Sequence, residues 1–178
     1  KMYWHQEAHS NVTPDTSSNM ITHITPIDAG HTFSFKIYFN NLHLFELGAL
    51  LTILNLPKGK ALKLGMGKGL GFGSVSISST LELIDRQKRY LSLFDKNGWK
   101  LAKKNADIKG FIEIFQTQLL QLLNTRESFW NIPRMKQLNL MLDIQRGQSL
   151  QNQRKLIPLA HDDRDNRKRK ILPLPENV

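Results

Sequence analysis

Five glycines occupy alternate positions in "LGMGKGLGFGSV", residues 64–75: Gly65, Gly67, Gly69, Gly71 and Gly73. Lys63 and Lys68 add positive charge there, and Phe72 adds a flat aromatic face. A backbone free of side chains lets successive N–H groups reach phosphate oxygens directly. The lysines would supply charge and Phe72 a surface for a base to stack on. The same glycines would also let the loop pack tightly on a sheet, and spacing alone does not separate the two. Two familiar phosphate loops are excluded. A P-loop needs Ser or Thr after Gly-Lys and a glycine five residues before the second one, whereas Gly69 follows Lys68 and residue 62 is Leu. No register gives G-x-G-x-x-G, because Leu70 and Ser74 stand where the last glycine belongs. Both motifs also run strand, loop, helix, and here a helical pattern precedes the loop.

Other candidate chemistry is thinner. His5 and His9 are four apart and could share a helix face as metal ligands, but Gln6 follows His5, so there is no H-E-x-x-H. No metal and no cofactor are expected. His23 and His31 are scattered, and His43 is explained as a helix cap. Trp4, Trp99 and Trp130 read as core residues, with Trp4 in a polar setting. No Ser/His/Asp constellation can be assembled. Cysteine is absent, which removes disulfides and thiolate chemistry. The best apolar run, residues 47–54, is far short of the roughly 18–20 residues of a membrane span. No signal-peptide pattern is present, so a cytoplasmic location without a membrane partner is expected. The chain opens on Lys1 rather than Met and reads as a piece of something longer.

The net charge of +10 is uneven. Residues 58–104 carry eleven basic and three acidic side chains, while residues 1–57 carry two and four. The glycine loop thus sits in the most basic segment, which favours a polyanion, although lysine-rich faces are common on solvated surfaces.

These residues need elements to position them. Residues 1–29 form a loop-rich lead-in containing "SNVTPDTSSN". "HTFSFKIYF", residues 31–39, alternates apolar and polar, the period of a half-buried strand. Leu44, Leu47, Leu51 and Leu54 make one helical stripe, with His43 and Glu46 at capping-box spacing and Asn55 and Pro57 at the end. Gly48 in that helix suggests close packing on a neighbour. A strand starts at Ser74, with Val75, Ile77, Leu81 and Leu83 on one face. "DRQKRYLSLFDKNGWK" reads as a further strand and a turn at Asn97-Gly98. Residues 107–124 read as a helix. Ser128 or Asn131 could cap a short helix with Pro133 in its first turn, and residues 144–178 read as a polar, basic tail. The class is α+β. Residues 30–125 match the C-terminal half of a ferredoxin-like βαββαβ unit, followed over 126–178 by a short helix and tail.

"FSFKIYFNNLHLFELGALLTILNL" followed by "LKLGMGKGLGFGSVSIS" resembles the RAMP superfamily of CRISPR-associated proteins, over roughly residues 30–85, with weaker echoes at "KMYWH", "FIEIF" and "ILPLP". The resemblance implies a ferredoxin-like, RRM-like backbone domain of a type III effector, with its glycine-rich loop near the guide RNA (crRNA). It places Gly65, Gly67, Lys68, Gly69, Gly71 and Phe72 in that loop, and Lys63 beside it. Together, "YWH", "ELGALL" and "LGFGSV" are similar to large proteins with several fused RAMP domains, including single-chain type III-E effectors. Implied partners are guide RNA, target RNA and other RAMP domains or subunits. Type III backbone subunits that cut target RNA use an aspartate from early in the domain. Asp28 is the candidate here, against its simpler reading as a turn residue beside Gly30. No catalytic residue is assigned.

The resemblance implies an RNA-binding part of an antiviral RNA-guided effector or, as the alternative, an endoribonuclease that processes guide precursor; a third reading is a structural domain whose basic loop meets acidic protein. On the first, the strands at Phe33 and Val75 should lie in one sheet completed by another segment. RNA affinity should fall with salt, with a log–log slope of about −0.7 per phosphate contact for single strands. A salt-independent affinity in a filter-binding titration would favour the structural domain.

Overall fold

The structure, a computed structural model, describes residues 3–8, 25–96, 98–99, 101–153 and 174–178. The expected loop "SNVTPDTSSN", His9, His23, Asn97 and the "RDNRKRK" run lie outside these residues. In chain order the elements are α1 (Leu44–Leu54), β1 (Leu62–Lys63), β2 (Ser74–Val75), β3 (Glu82–Ile84), α2 (Arg86–Leu91), β4 (Phe94–Asp95), β5 (Gly98–Trp99), β6 (Lys103–Asn105), α3 (Ile108–Leu122), α4 (Pro133–Met141) and α5 (Ile144–Asn152). The chain is α+β. Among the described residues the strands make three two-stranded antiparallel sheets, β1–β2, β3–β6 and β4–β5. Two compact units result. One uses Phe39–Leu56 and Ile77–Phe129; the other uses Pro57–Ser76 with the residues up to Tyr38 and from Trp130 onward.

The first unit is built on α1 against α3. The His43 side chain accepts a hydrogen bond from the first turn of α1, and Glu46 Oε2 accepts from the His43 N–H at 2.8 Å, completing the capping box. At the other end, the Asn55 amide donates to the Leu51 carbonyl at 2.8 Å. Asp107 caps α3 by accepting from the N–H groups of Lys109 and Gly110. Leu47, Leu51 and Leu81 form the buried core, flanked by Leu83, Ile108, Phe111 and Ile112. Each such buried leucine contributes about 1.5–3 kcal/mol. Phe115 lies edge-on to Phe45 at 4.9 Å and to Phe129 at 5.6 Å. Gly48 is the point of closest approach. A Cβ there would overlap the Phe111 carbonyl oxygen and lie 2.6 Å from the Phe115 Cβ.

Several expectations are corrected. Residues 31–39 join no ladder among the described residues, and Phe33 and Phe35 are 71% and 63% exposed. The strand begun at Ser74 stops at Val75, and β2 pairs only with β1. The alternating pattern is present at residues 31–39, but no neighbouring edge among the described residues receives it. Residues 86–91 are helical rather than extended, because the Asp85 carboxylate accepts from the Lys88 N–H at 3.0 Å and starts a turn. Trp99 is 52% exposed, not core. Helix α4 has Ile132 at its N-cap and no side-chain cap, with Pro133 in its first turn. The stretch read as tail begins with α5, capped by Asp143. No helix among the described residues is long and apolar enough to cross a membrane.

Alanine normally gains about 1 kcal/mol over glycine inside a helix. At position 48 the overlap with α3 should reverse that sign. Gly48→Ala should lose about 1–2 kcal/mol in urea unfolding, as overpacked cores do. A variant as stable as the parent would mean that α1 and α3 separate freely.

Candidate nucleic-acid interface

The glycine loop is the tip of a β-hairpin. Leu62 pairs with Val75 and Lys63 with Ser74, and the Leu64 N–H donates to the Gly73 carbonyl at 2.8 Å. A short strand thus precedes the loop, where the sequence suggested a helix alone. At the tip, residues Lys68–Leu70 make one 3₁₀ turn, with left-handed Gly67 before it (φ 67°) and left-handed Gly71 after it (φ 98°). The Gly67 carbonyl accepts from the Leu70 and Phe72 N–H groups at 2.9 and 3.3 Å.

The segment Tyr3–Ala8 lies against this backbone. A Cβ on Gly71 would stand 2.8 Å from the Glu7 carbonyl carbon and 2.9 Å from the Ala8 Cα. Its other side meets α5, where a Cβ on Gly147 would come within 2.7 Å of the His5 carbonyl carbon. The Glu7 N–H donates to Gln151 Oε1 at 2.6 Å, and Gln151 Nε2 returns a bond to the Glu7 carbonyl at 3.3 Å. His5, 2% exposed, bolts the segment to the hairpin. Its Nε2 is 2.9 Å from the Ala61 carbonyl, which can only accept, so Nε2 carries the proton. Nδ1, 2.9 Å from Ser74 Oγ, therefore accepts from the hydroxyl. Burial lowers the His5 pKa, the Ala61 carbonyl opposes that, and the charge of Lys63 adds to it.

Both lysines bond carbonyls of the loop itself. Lys63 Nζ donates to the carbonyls of Gly71 at 2.8 Å and Phe72 at 3.0 Å, and burial lowers its pKa. Lys68 Nζ donates to the Gly65 carbonyl. Gln6 Nε2 donates to the Gly69 carbonyl at 2.9 Å. The loop's acceptors are therefore largely spent within the fold. Its donors are not: the N–H groups of Gly65, Met66, Gly67, Lys68 and Gly69 have no partner among the described residues. Below the hairpin, Lys60 pairs with Asp143 at 2.6 Å. Burial raises the Asp143 pKa, but the bonds from Lys60 and from the Arg146 N–H outweigh it and leave it lowered.

Of the residues singled out in the sequence, Gly65 and Gly69 are exposed and Gly67 and Lys68 are partly so. Gly71 is buried against Glu7. Phe72 is half-buried and covers Gly67, where a Cβ would lie 2.9 Å from its ring. Lys63 is occupied in holding the loop's shape. Asp28 is exposed, and its backbone carbonyl accepts from His31 Nδ1 at 3.0 Å. Among the described residues no group of three or more His, Asp or Glu is placed to hold a metal ion. Beyond the weak echo at "KMYWH", the supporting role of residues 3–8 was not legible in the sequence, because His5 and Ser74 are 69 residues apart. No protein-family model matches the chain, and no curated protein matches it.

Because folding favours neutral His5, the unfolded chain takes up the proton first as pH falls. Stability is then full above His5's ordinary pKa of 6.5 and declines as pH drops from there through the lower folded value. The melting temperature of the parent should fall between about pH 7 and pH 5, and His5→Gln should flatten that slope. Equal slopes for the two proteins would place the titrating group elsewhere.

Proposed function

We propose that this chain is the RNA-holding part of a type III CRISPR effector, a ferredoxin-like RAMP domain whose glycine hairpin meets the sugar–phosphate backbone of a guide RNA. The observation that carries the reading is the polarity of the loop. The carbonyls of Gly65, Gly67, Lys68, Gly69, Gly71, Phe72 and Gly73 are taken by Lys63, Lys68, Gln6 and N–H groups of the hairpin, whereas five consecutive N–H groups, 65 to 69, stay open among the described residues. Consecutive unpaired N–H groups around left-handed glycines form an anion-binding concavity. Such contacts read backbone geometry rather than bases, so base pairing with target RNA would supply sequence choice. Residues 31–39 find no pairing edge among the described residues, which supports a sheet completed by another RAMP domain or subunit, as in a fused effector. A cytoplasmic location goes with that role. His5 is sealed from solvent and His43 is engaged in capping α1, so neither is offered to an RNA 2′-hydroxyl, whereas Asp28 and His31 stay exposed.

Gly65 offers the cleanest test. Its φ is +83° and nothing lies within 4 Å of the place a Cβ would take, so Asn or Asp can be accommodated there. Gly65→Asp and Gly65→Asn differ by one charge. One like charge near a phosphate is worth about 1 kcal/mol in water. Gly65→Asp should therefore bind guide RNA about fivefold to tenfold more weakly than Gly65→Asn, at equal melting temperature. Equal affinities would place the RNA away from the loop.

A further inference from the structure

The β4–β5 hairpin and α2 carry a second cluster that the glycine loop does not explain. Phe94 and Trp99 face each other across the hairpin, edge to face, with ring centroids 5.5 Å apart. Arg89, from the last turn of α2, places its guanidinium 5.7 Å from the centroid of the Trp99 ring. The rings are not buried: Phe94 is 63% exposed, Trp99 52% and Tyr90 68%. Lys88 and Lys96 are exposed nearby in the chain. Residues 86–104 hold seven basic side chains and one acidic one. A hairpin with two residues per strand cannot bury such rings, and leaving them in water forfeits their apolar contribution.

We propose that this aromatic–basic hairpin is a stacking platform for single-stranded RNA, separate from the glycine loop; the proposal rests on the chain binding RNA. An apolar protein partner would suit the rings but would bury charge, since Lys88 has only Asp85, 3.9 Å away, and Lys96 has no ion pair among the described residues. A simple acidic partner would suit the cations but leave the rings wet. A single strand meets both demands, because its bases offer flat faces and its phosphates offer charge. A duplex hides its base faces and fits less well. Arg89 over Trp99 pre-orders one wall of the platform by a cation–π contact. A base would stack on the open side of Trp99 or Phe94 while Lys88 and Lys96 attract the flanking phosphates.

The test uses a fluorescein-labelled oligouridine of about 15 nucleotides at about 50 mM salt, read by anisotropy, with tryptophan emission followed in parallel. Trp99→Ala should bind about tenfold more weakly at an unchanged melting temperature, and Trp99→Phe should keep most of the affinity. The oligouridine should quench tryptophan emission in the parent but much less in Trp99→Phe. Should Trp99→Ala fail to fold, that quenching difference decides instead. Parent-like affinity in a folded Trp99→Ala overturns the platform, as does undiminished quenching in Trp99→Phe. So does polyglutamate that displaces the oligouridine at equal charge, which would mark an acidic protein site. Binding weakened by Gly65→Asp but not by Trp99→Ala sinks the platform alone. No binding by the parent sinks it together with the RNA function.

Discussion

The carbonyl groups of His5 and Glu7 press against Gly147 and Gly71 so closely that neither glycine could carry a Cβ. This double approach of bare backbone makes residues 3–8 the inner wall of the glycine hairpin and ties that hairpin to α5. The same device recurs independently at Gly48, which lets α1 meet the backbone of α3. Glycine inside a helix costs about 1 kcal/mol in local stability. It is tolerated where backbones must approach too closely for any side chain. Loss of the His5 bolt would therefore loosen both the hairpin and its seat on α5.

Charge is arranged around that wall in an unusual order. Lys63 lies partly buried, with its ammonium answered by two loop carbonyls, and His5 beside it is held neutral. A protonated His5 would add a second buried cation, and Asp143, already paired with Lys60, would not balance it. Lys60 and Asp143 neutralise each other at the base of the hairpin. The lysines near the loop thus act first as scaffolding. What the loop leaves unpaired among the described residues is the amide hydrogens of 65–69, which are weaker individually than an ammonium but fixed to the backbone.

Two exposed apolar sets differ in their chemistry. Phe33, Phe35, Ile37 and Phe39 repeat at every second residue with Lys36 as the sole charge among them, a pattern suited to one face of a sheet. Tyr90, Phe94 and Trp99 are interleaved with cations and gathered on or beside a small hairpin. The first set requires a strand alongside it, because backbone pairing and an apolar face come together in a ladder. In the second, Phe94 and Trp99 are already paired with one another, and Arg89 lies against Trp99.

Local chemistry was legible in the chain. The His43–Glu46 cap, the leucine stripe of α1, the Asp107 start of α3 and the turn near Gly98 all depend on residues within a few positions of each other, so the sequence alone determined them. The α+β class followed from the same short-range patterns. One local signal was missed: Asp85 caps a helix at the start of a stretch read as a strand. What the glycines of the loop are for was decided only by the tertiary structure. Gly71 answers to Glu7, Gly69 lies beside the Tyr3 ring and Lys63 folds back on the loop's own carbonyls, whereas Gly65 stays open. Their even spacing holds no record of this, because a glycine says only that space is needed and the neighbour that needs it lies 64 residues away in the chain.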